Sequence, residues 1–150
     1  IHGAGVLADR KIEDLTDEQF SYVYETKVTG LRNLLLATED DPLKAIVLFS
    51  SSTGRFGRTG QVAYACANEM LNKTSQQLNR KRPQTRTVAL NWGPWEGGMV
   101  TPALAQVFAA EGIGLIGYHP GGQLLWNELS DEERSAEVVV LAKPADQSRP

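Results

Sequence analysis

The sequence predicts an α/β fold, a parallel sheet with flanking helices. Three observations carry that prediction. Residues 45–49 (AIVLF), 86–91 (RTVALN) and 137–141 (EVVVL) are short apolar runs rich in β-branched residues, the pattern of strands buried in a sheet. The segments between them have helical periodicity, and strands alternating with helices imply crossover connections between parallel strands. Residues 49–68 leave the first of these strands through three serines and a loop with Gly54, Gly57 and Gly60, then enter a helix. Such strand-to-helix turns border the crevice where open α/β sheets bind ligands.

In chain order, residues 1–6 (IHGAGV) read as a strand end and its turn, and residues 7–14 as a polar connection. A domain rarely starts at a strand end, so the chain is expected to be the C-terminal portion of its domain, without the N-terminal strands. The next helix has Thr16 as N-cap with Gln19 three residues on, a capping box. Phe20, Val23, Leu31 and Leu34 fall on one side of it, and Lys27 shares that side. Read alone, Lys27 is a lysine whose ammonium snorkels out at the edge of an apolar stripe. Residues 39–42 end the helix.

A second helix opens near Val62 and runs to about Asn79, with Tyr64, Leu71 and Leu78 on one face and Asn68 among them. Arg80, Lys81 and Arg82 suit its C-terminus, and Pro83 stops it. After residues 86–91 comes the turn Trp92-Gly93-Pro94-Trp95. Residues 96–118 are glycine-rich at both ends and helical through 102–110, which reads as a mobile lid. His119, Pro120, Gly121 and Gly122 form a loop before a helix over 123–129, and residues 137–141 are the last strand. Residues 1–142 make one domain and 143–150, polar and proline-containing, a linker.

Composition excludes more than it selects. At 150 residues there is room for one core. A net charge of -3 gives no reason to expect nucleic acid or an anionic membrane as partner, and no apolar run is long enough to span a bilayer. The single Cys66 cannot form an internal disulfide, which fits a reducing, cytoplasmic setting. It lies between alanines and reads as a small packing residue. The three tryptophans, Trp92, Trp95 and Trp126, read mainly as packing, with Trp95 able to line a pocket. No metal-ligand spacing is present.

The chemistry lies in residues 49–68 together with Lys27. A tyrosine serves as a general acid when its pKa falls toward neutrality, and a nearby cation favours its phenolate. A serine hydroxyl can orient a carbonyl oxygen, and an asparagine can hold the lysine or a water leading to it. Ser51, Tyr64, Asn68 and Lys27 supply these groups if the two helices pack side by side.

The order Lys27, Ser51, Tyr64, Asn68 resembles the ketoreductase domains of modular polyketide synthases and related fatty acid synthases, within the short-chain dehydrogenase/reductase family. Most of that family has its lysine four residues after the tyrosine. The synthase ketoreductases have asparagine there, as Asn68 is here, and take the lysine from the preceding helix. His2-Gly3-Ala4-Gly5 resembles the turn on the adenosine side of the cofactor, residues 60–68 resemble GQxxYxxAN, and residues 91–95 with Gly97-Gly98-Met99 resemble the turn beside the nicotinamide. The resemblance implies a Rossmann-like fold and reduction of a β-ketoacyl thioester by NADPH, the substrate being carried on an acyl carrier protein among the other domains of a synthase. Lys27, Ser51, Tyr64 and Asn68 would be catalytic. Gly3, Ala4, Gly5, Lys27, Tyr64, Gly93, Pro94 and Trp95 would hold the cofactor, and Asp9, Phe56, Gln61 and Met99 would border the substrate.

Leu7-Ala8-Asp9 resembles the LDD motif of ketoreductases that give the 3R alcohol, with Ala8 departing from it. Phe56 stands where the opposite class has tryptophan. The resemblance thus leans toward a 3R product. The glycine-rich dinucleotide turn of the family would precede Ile1, so the 150-residue piece by itself is expected to bind cofactor weakly and not to turn over. Two other readings stand beside this one: a structural or carrier-docking domain without catalysis, and a stand-alone short-chain dehydrogenase acting on free ketones or alcohols.

Overall fold

The computed structural model describes residues 1–131, 133 and 135–143. Its centre is a three-stranded sheet of β1 (Ala45–Ser51), β2 (Arg86–Trp92) and β3 (Glu137–Val140), in the order β1-β2-β3. Both pairings are parallel, with Val47 opposite Val88 and Leu90 opposite Val138. The strand end expected at residues 1–6 is reduced to one parallel bridge, in which His2 pairs with Leu48 on the outer side of β1. The remaining elements are a 3-10 turn (Ile12–Asp14), α1 (Asp17–Tyr24), a π-helical turn (Glu25–Thr29), α2 (Gly30–Ala37), α3 (Ser52–Phe56), α4 (Val62–Lys81), α5 (Pro102–Ala110) and α6 (Tyr118–Ser130). Among the described residues no helix is long and apolar enough to cross a membrane.

Strand alternation divides the core into two layers. Ile46, Leu48 and Ala89 pack with Leu31 of α2 and with Leu71 and Leu78 of α4. On the other face Val47, Val88, Leu90 and Trp92 pack with Ile116, Val140 and the α6 leucines 124, 125 and 129. β2 is buried along its whole length, as the middle strand of a covered sheet must be.

Four local outcomes differ from expectation. The helix after Thr16 opens with the capping box, but its ladder is interrupted by the π turn. A π turn holds one residue more than an α turn, so the apolar stripe slips by one position: Leu35, not Leu34, joins the core, and Leu34 is 49% exposed. β1 continues two residues past Phe49, because Ser50 and Ser51 keep pairing with Asn91 and Trp92. The loop after it holds the short α3, whose N-cap is Ser51. α6 begins at Tyr118, absorbing Pro120 into its first turn, where a missing N–H leaves no helical bond unmade.

Cys66 and Trp126 are exposed and do not pack. Cys66 follows Tyr64 by two residues, which turns it to the opposite side of α4. The linker expected over 143–150 lies outside the described residues except for Lys143.

Candidate active site

β1 and β2 end side by side, and a cleft of about 830 Å³ opens beyond their carboxyl ends. Its floor includes Lys27, Ser51 and Tyr64, brought from three different elements. Its far wall is the lid segment, where Met99, Leu104, Phe108 and Ile113 present an apolar surface. Gly3, Gly5, Asp9, Phe56, Gln61, Gly93, Pro94 and Trp95 also line it, whereas Ala4, between the two glycines, does not.

Lys27 does not snorkel. It is 3% exposed, inside the π turn. Its Nζ donates to Phe49 O at 2.9 Å and stands 5.6 Å from the centroid of the Tyr64 ring. A Cβ at Gly5 would lie 3.1 Å from Lys27 Cε, so glycine there leaves the lysine its channel. Burial lowers the Lys27 pKa from 10.5 to about 8.

Tyr64 is shifted the other way. Burial raises its pKa above the usual phenol value; hydrogen bonding with Asn68 and Ser51 opposes this, and the Asp9 charge adds to it. The phenol is therefore neutral at pH 7 and carries its proton into the cleft. The net direction is opposite to the fall expected from a neighbouring cation, because burial of the phenol dominates.

Ser51 Oγ accepts the Thr53 N–H at 3.1 Å, which fixes the hydroxyl at the start of α3. Its neighbour Ser50 points into the α4 layer, donating to Asn68 O and Asn91 Oδ1. Asn68 is fully buried. Its Nδ2 donates to Tyr64 O at 2.8 Å, one turn back along α4, and its Oδ1 has no hydrogen-bond partner among the described residues. Asn68 therefore supports the tyrosine turn and makes no hydrogen bond to the lysine among the described residues.

On the opposite rim Gln61 Nε2 donates to Asp9 Oδ2 at 2.8 Å, and Thr53 Oγ1 donates to Gln61 Oε1 at 3.2 Å. These bonds tie residues 7–9 to the start of α4. Sequence reasoning missed three groups. Arg58 grips both Glu111 oxygens at 3.0 and 3.1 Å and lies 5.1 Å over Phe108, tying α5 and its C-terminal end to the loop after α3. Asn91 accepts from Ser50 and Asn72 and donates to Glu137. His2, placed by the sequence only in a strand end and its turn, is 5% exposed with Nε2 2.8 Å from Lys27 O. A polar Asn91 within an apolar strand was a visible signal; Arg58 and His2 carried none.

Known proteins share both the sequence and the fold that build this cleft. A family model described as KR domain matches residues 1–97. The chain is 39% identical over 146 residues to a polyunsaturated fatty acid synthase polypeptide of Thraustochytrium, covering 97% of the chain and 5% of that protein. It is 42% identical over 100 residues to polyketide synthase GfsB of Streptomyces halstedii, covering 66% of the chain and 2% of that protein. Among solved structures, a ketoreductase domain from the bacillaene assembly line superposes with a TM-score of 0.85 at 27% identity, over 95% of this chain and 36% of that one. The chain thus spans a small part of the curated relatives it matches.

Proposed function

The chain belongs to the KR domain family, and from that premise we propose that it carries the catalytic part of a β-ketoacyl reductase, which reduces a β-ketoacyl thioester on an acyl carrier protein within a multidomain synthase, with NADPH as reductant. The observation that carries the proposal is the meeting of Lys27, Ser51 and Tyr64 in one cleft at the carboxyl end of the sheet.

The cleft suits such a pair of ligands. Its polar floor offers an ammonium, a phenol and a hydroxyl, a donor set matched to a ribose diol and a ketone oxygen. Its apolar lid wall suits an acyl chain. Gly3, Gly5, Gly93, Pro94 and Trp95 would hold the cofactor, and Asp9, Phe56, Gln61 and Met99 would border the substrate. The choice of NADPH rests on the family resemblance. When bound, the reduced nicotinamide supplies the hydride that ends on the ketone carbon.

Everything else falls to this chain. Ser51 Oγ and Tyr64 Oη would bind the ketone oxygen and polarise it. Tyr64, kept neutral by burial, would give that oxygen its proton as the carbon is reduced, leaving a secondary alcohol and a phenolate. Lys27, with one N–H on Phe49 O, has two donors left for the cofactor ribose and its charge beside the phenolate. Asn68 would hold the tyrosine turn through its bond to Tyr64 O. The bond from Gln61 to Asp9 holds residues 7–9 in place on the substrate side, and the 3R product rests on the resemblance of Leu7-Ala8-Asp9 to the LDD motif.

The test is Tyr64→Phe in the native polypeptide, read as NADPH oxidation with a carrier-bound β-ketothioester. A loss of about a thousandfold is expected. Unchanged turnover would overturn the proposal in favour of a silent domain. Reduction of free ketones but not of carrier-bound ones would favour the stand-alone dehydrogenase.

A further inference from the structure

We propose that His2 is the positioning residue for Lys27, holding in place the π turn that presents the ammonium to the cleft; this deepens the ketoreductase reading and rests on it. Three hydrogen bonds close a ring. His2 Nε2 lies 2.8 Å from Lys27 O, Lys27 Nζ donates to Phe49 O at 2.9 Å, and Phe49 N–H donates to His2 O at 2.9 Å. A second backbone bond, His2 N–H to Val47 O at 2.8 Å, fastens the histidine to β1. His2 and Lys27 are both almost wholly buried. The ring therefore joins strand, lysine side chain and lysine backbone away from solvent.

The chemistry assigns the proton. A carbonyl only accepts, so Nε2 must carry the hydrogen in this bond. Burial and the charge of Lys27 disfavour the imidazolium, which leaves the neutral Nε2–H tautomer.

The π turn explains why an anchor is needed. It carries an extra residue, and its hydrogen bonding is irregular: the Gly30 N–H is shared between Glu25 O and Lys27 O. Such turns are rare single bulges inside α-helices, frequently at functional sites, and irregular backbone persists where its surroundings hold it. His2 supplies a donor from outside, aimed at the carbonyl of the residue whose side chain matters. Without it the turn is free to relax to α spacing, which rotates the preceding residues by about 100° relative to α2. Lys27 Nζ would then leave Phe49 O and the Tyr64 ring. Among the described residues, the titratable groups that face Lys27 from other elements are His2 and Tyr64.

The test uses the native polypeptide with two variants. His2→Phe removes the donor but keeps a ring, and His2→Gln keeps an N–H at similar reach. Lys27 is titrated by NMR with isotope-labelled lysine, assigned against Lys27→Arg, and kcat and KM are measured separately. In His2→Phe the Lys27 titration should rise from about 8 by about one pH unit as the ammonium reaches solvent. The same variant should lose about tenfold in kcat with KM within about twofold. His2→Gln should restore both.

A Lys27 titration unmoved in His2→Phe, or moved equally in His2→Gln, would overturn the proposal. In the unaltered protein a long-range proton–nitrogen correlation should show His2 protonated at Nε2. Protonation at Nδ1 alone would overturn the proposal even if His2→Phe does not fold. Absence of NADPH-dependent reduction in the unaltered protein would instead count against the ketoreductase reading, while the lysine titration and the histidine tautomer would still decide the role of His2.

Discussion

Two stretches of helix on the same face of the sheet deliver the side chains of the cleft, and they are held by different means. α4 is a continuous helix of 20 residues, and its sheet-facing side is partly polar: Asn68, Asn72 and Ser75 are buried alongside Ala63, Ala67, Leu71 and Leu78. Those polar groups bond across the layer. Asn72 meets Asn91, Ser75 Oγ donates to Ala136 O, and Asn79 Nδ2 donates to Thr87 O. The register of α4, and so the position of Tyr64, is set by many contacts along its length. The stretch from Asp17 to Ala37 is interrupted at the residue that faces the cleft, and Lys27 is held by local bonds to His2 and Phe49. One functional group is placed by a long regular element, the other by a small irregular one.

That contrast can be tested from its strongest side first. Asn91→Ala removes the hub beneath α4 and leaves Ser50, Asn72 and Glu137 each short of one partner. It should cost roughly 3–4 kcal/mol in chemical denaturation. A cost below about 1 kcal/mol would mean that apolar packing alone holds α4 in register.

Lys27→Met probes the other helix through pH. The Lys27 pKa is lowered in the folded protein, from 10.5 to about 8, so the folded state binds fewer protons than the unfolded one between those values. Stability from this group therefore rises with pH across that window, and the cost of burying the charge is fully present below about pH 8. Lys27→Met should abolish reductase activity yet be more stable than the unaltered protein at pH 7, by roughly 3 kcal/mol. The difference should vanish as the pH approaches 10.5. Unfolding curves at several pH values measure it, and a constant difference would show that the lysine is not buried as a cation.

The smallest effect belongs to the start of α1. Thr16→Ala breaks a capping box whose residues do not line the cleft and should cost about 1 kcal/mol. kcat should not change, because Lys27 is held by its bonds to His2 and Phe49 rather than by the cap.

Much of this was legible because it is local. The capping box at Thr16 and Gln19, the lid helix over Pro102–Ala110 and the apolar strands each follow from a few neighbouring residues. Tyr64 and Asn68 were placed on one face by their spacing alone. The π turn was not legible. It depends on His2, twenty-five positions away from Lys27 along the chain, and the pattern Phe20, Val23, Leu31, Leu34 fits a regular helix well enough to hide the slip to Leu35. The same blindness made Lys27 read as a snorkelling residue, because its partner is a backbone carbonyl and carries no sequence signature. Cys66 shows the reverse error: alanine neighbours suggested packing, but its angle around α4 decided its exposure.

Gly121 lies in the first turn of α6 with the Trp95 indole pressed against its Cα, so that even a methyl group there would collide with the ring. Trp95 is part of the cleft wall. The width of the cleft beside Trp95 is accordingly fixed from behind, by a residue that does not line it. Any residue bulkier than glycine at that point would drive the indole forward into the cleft.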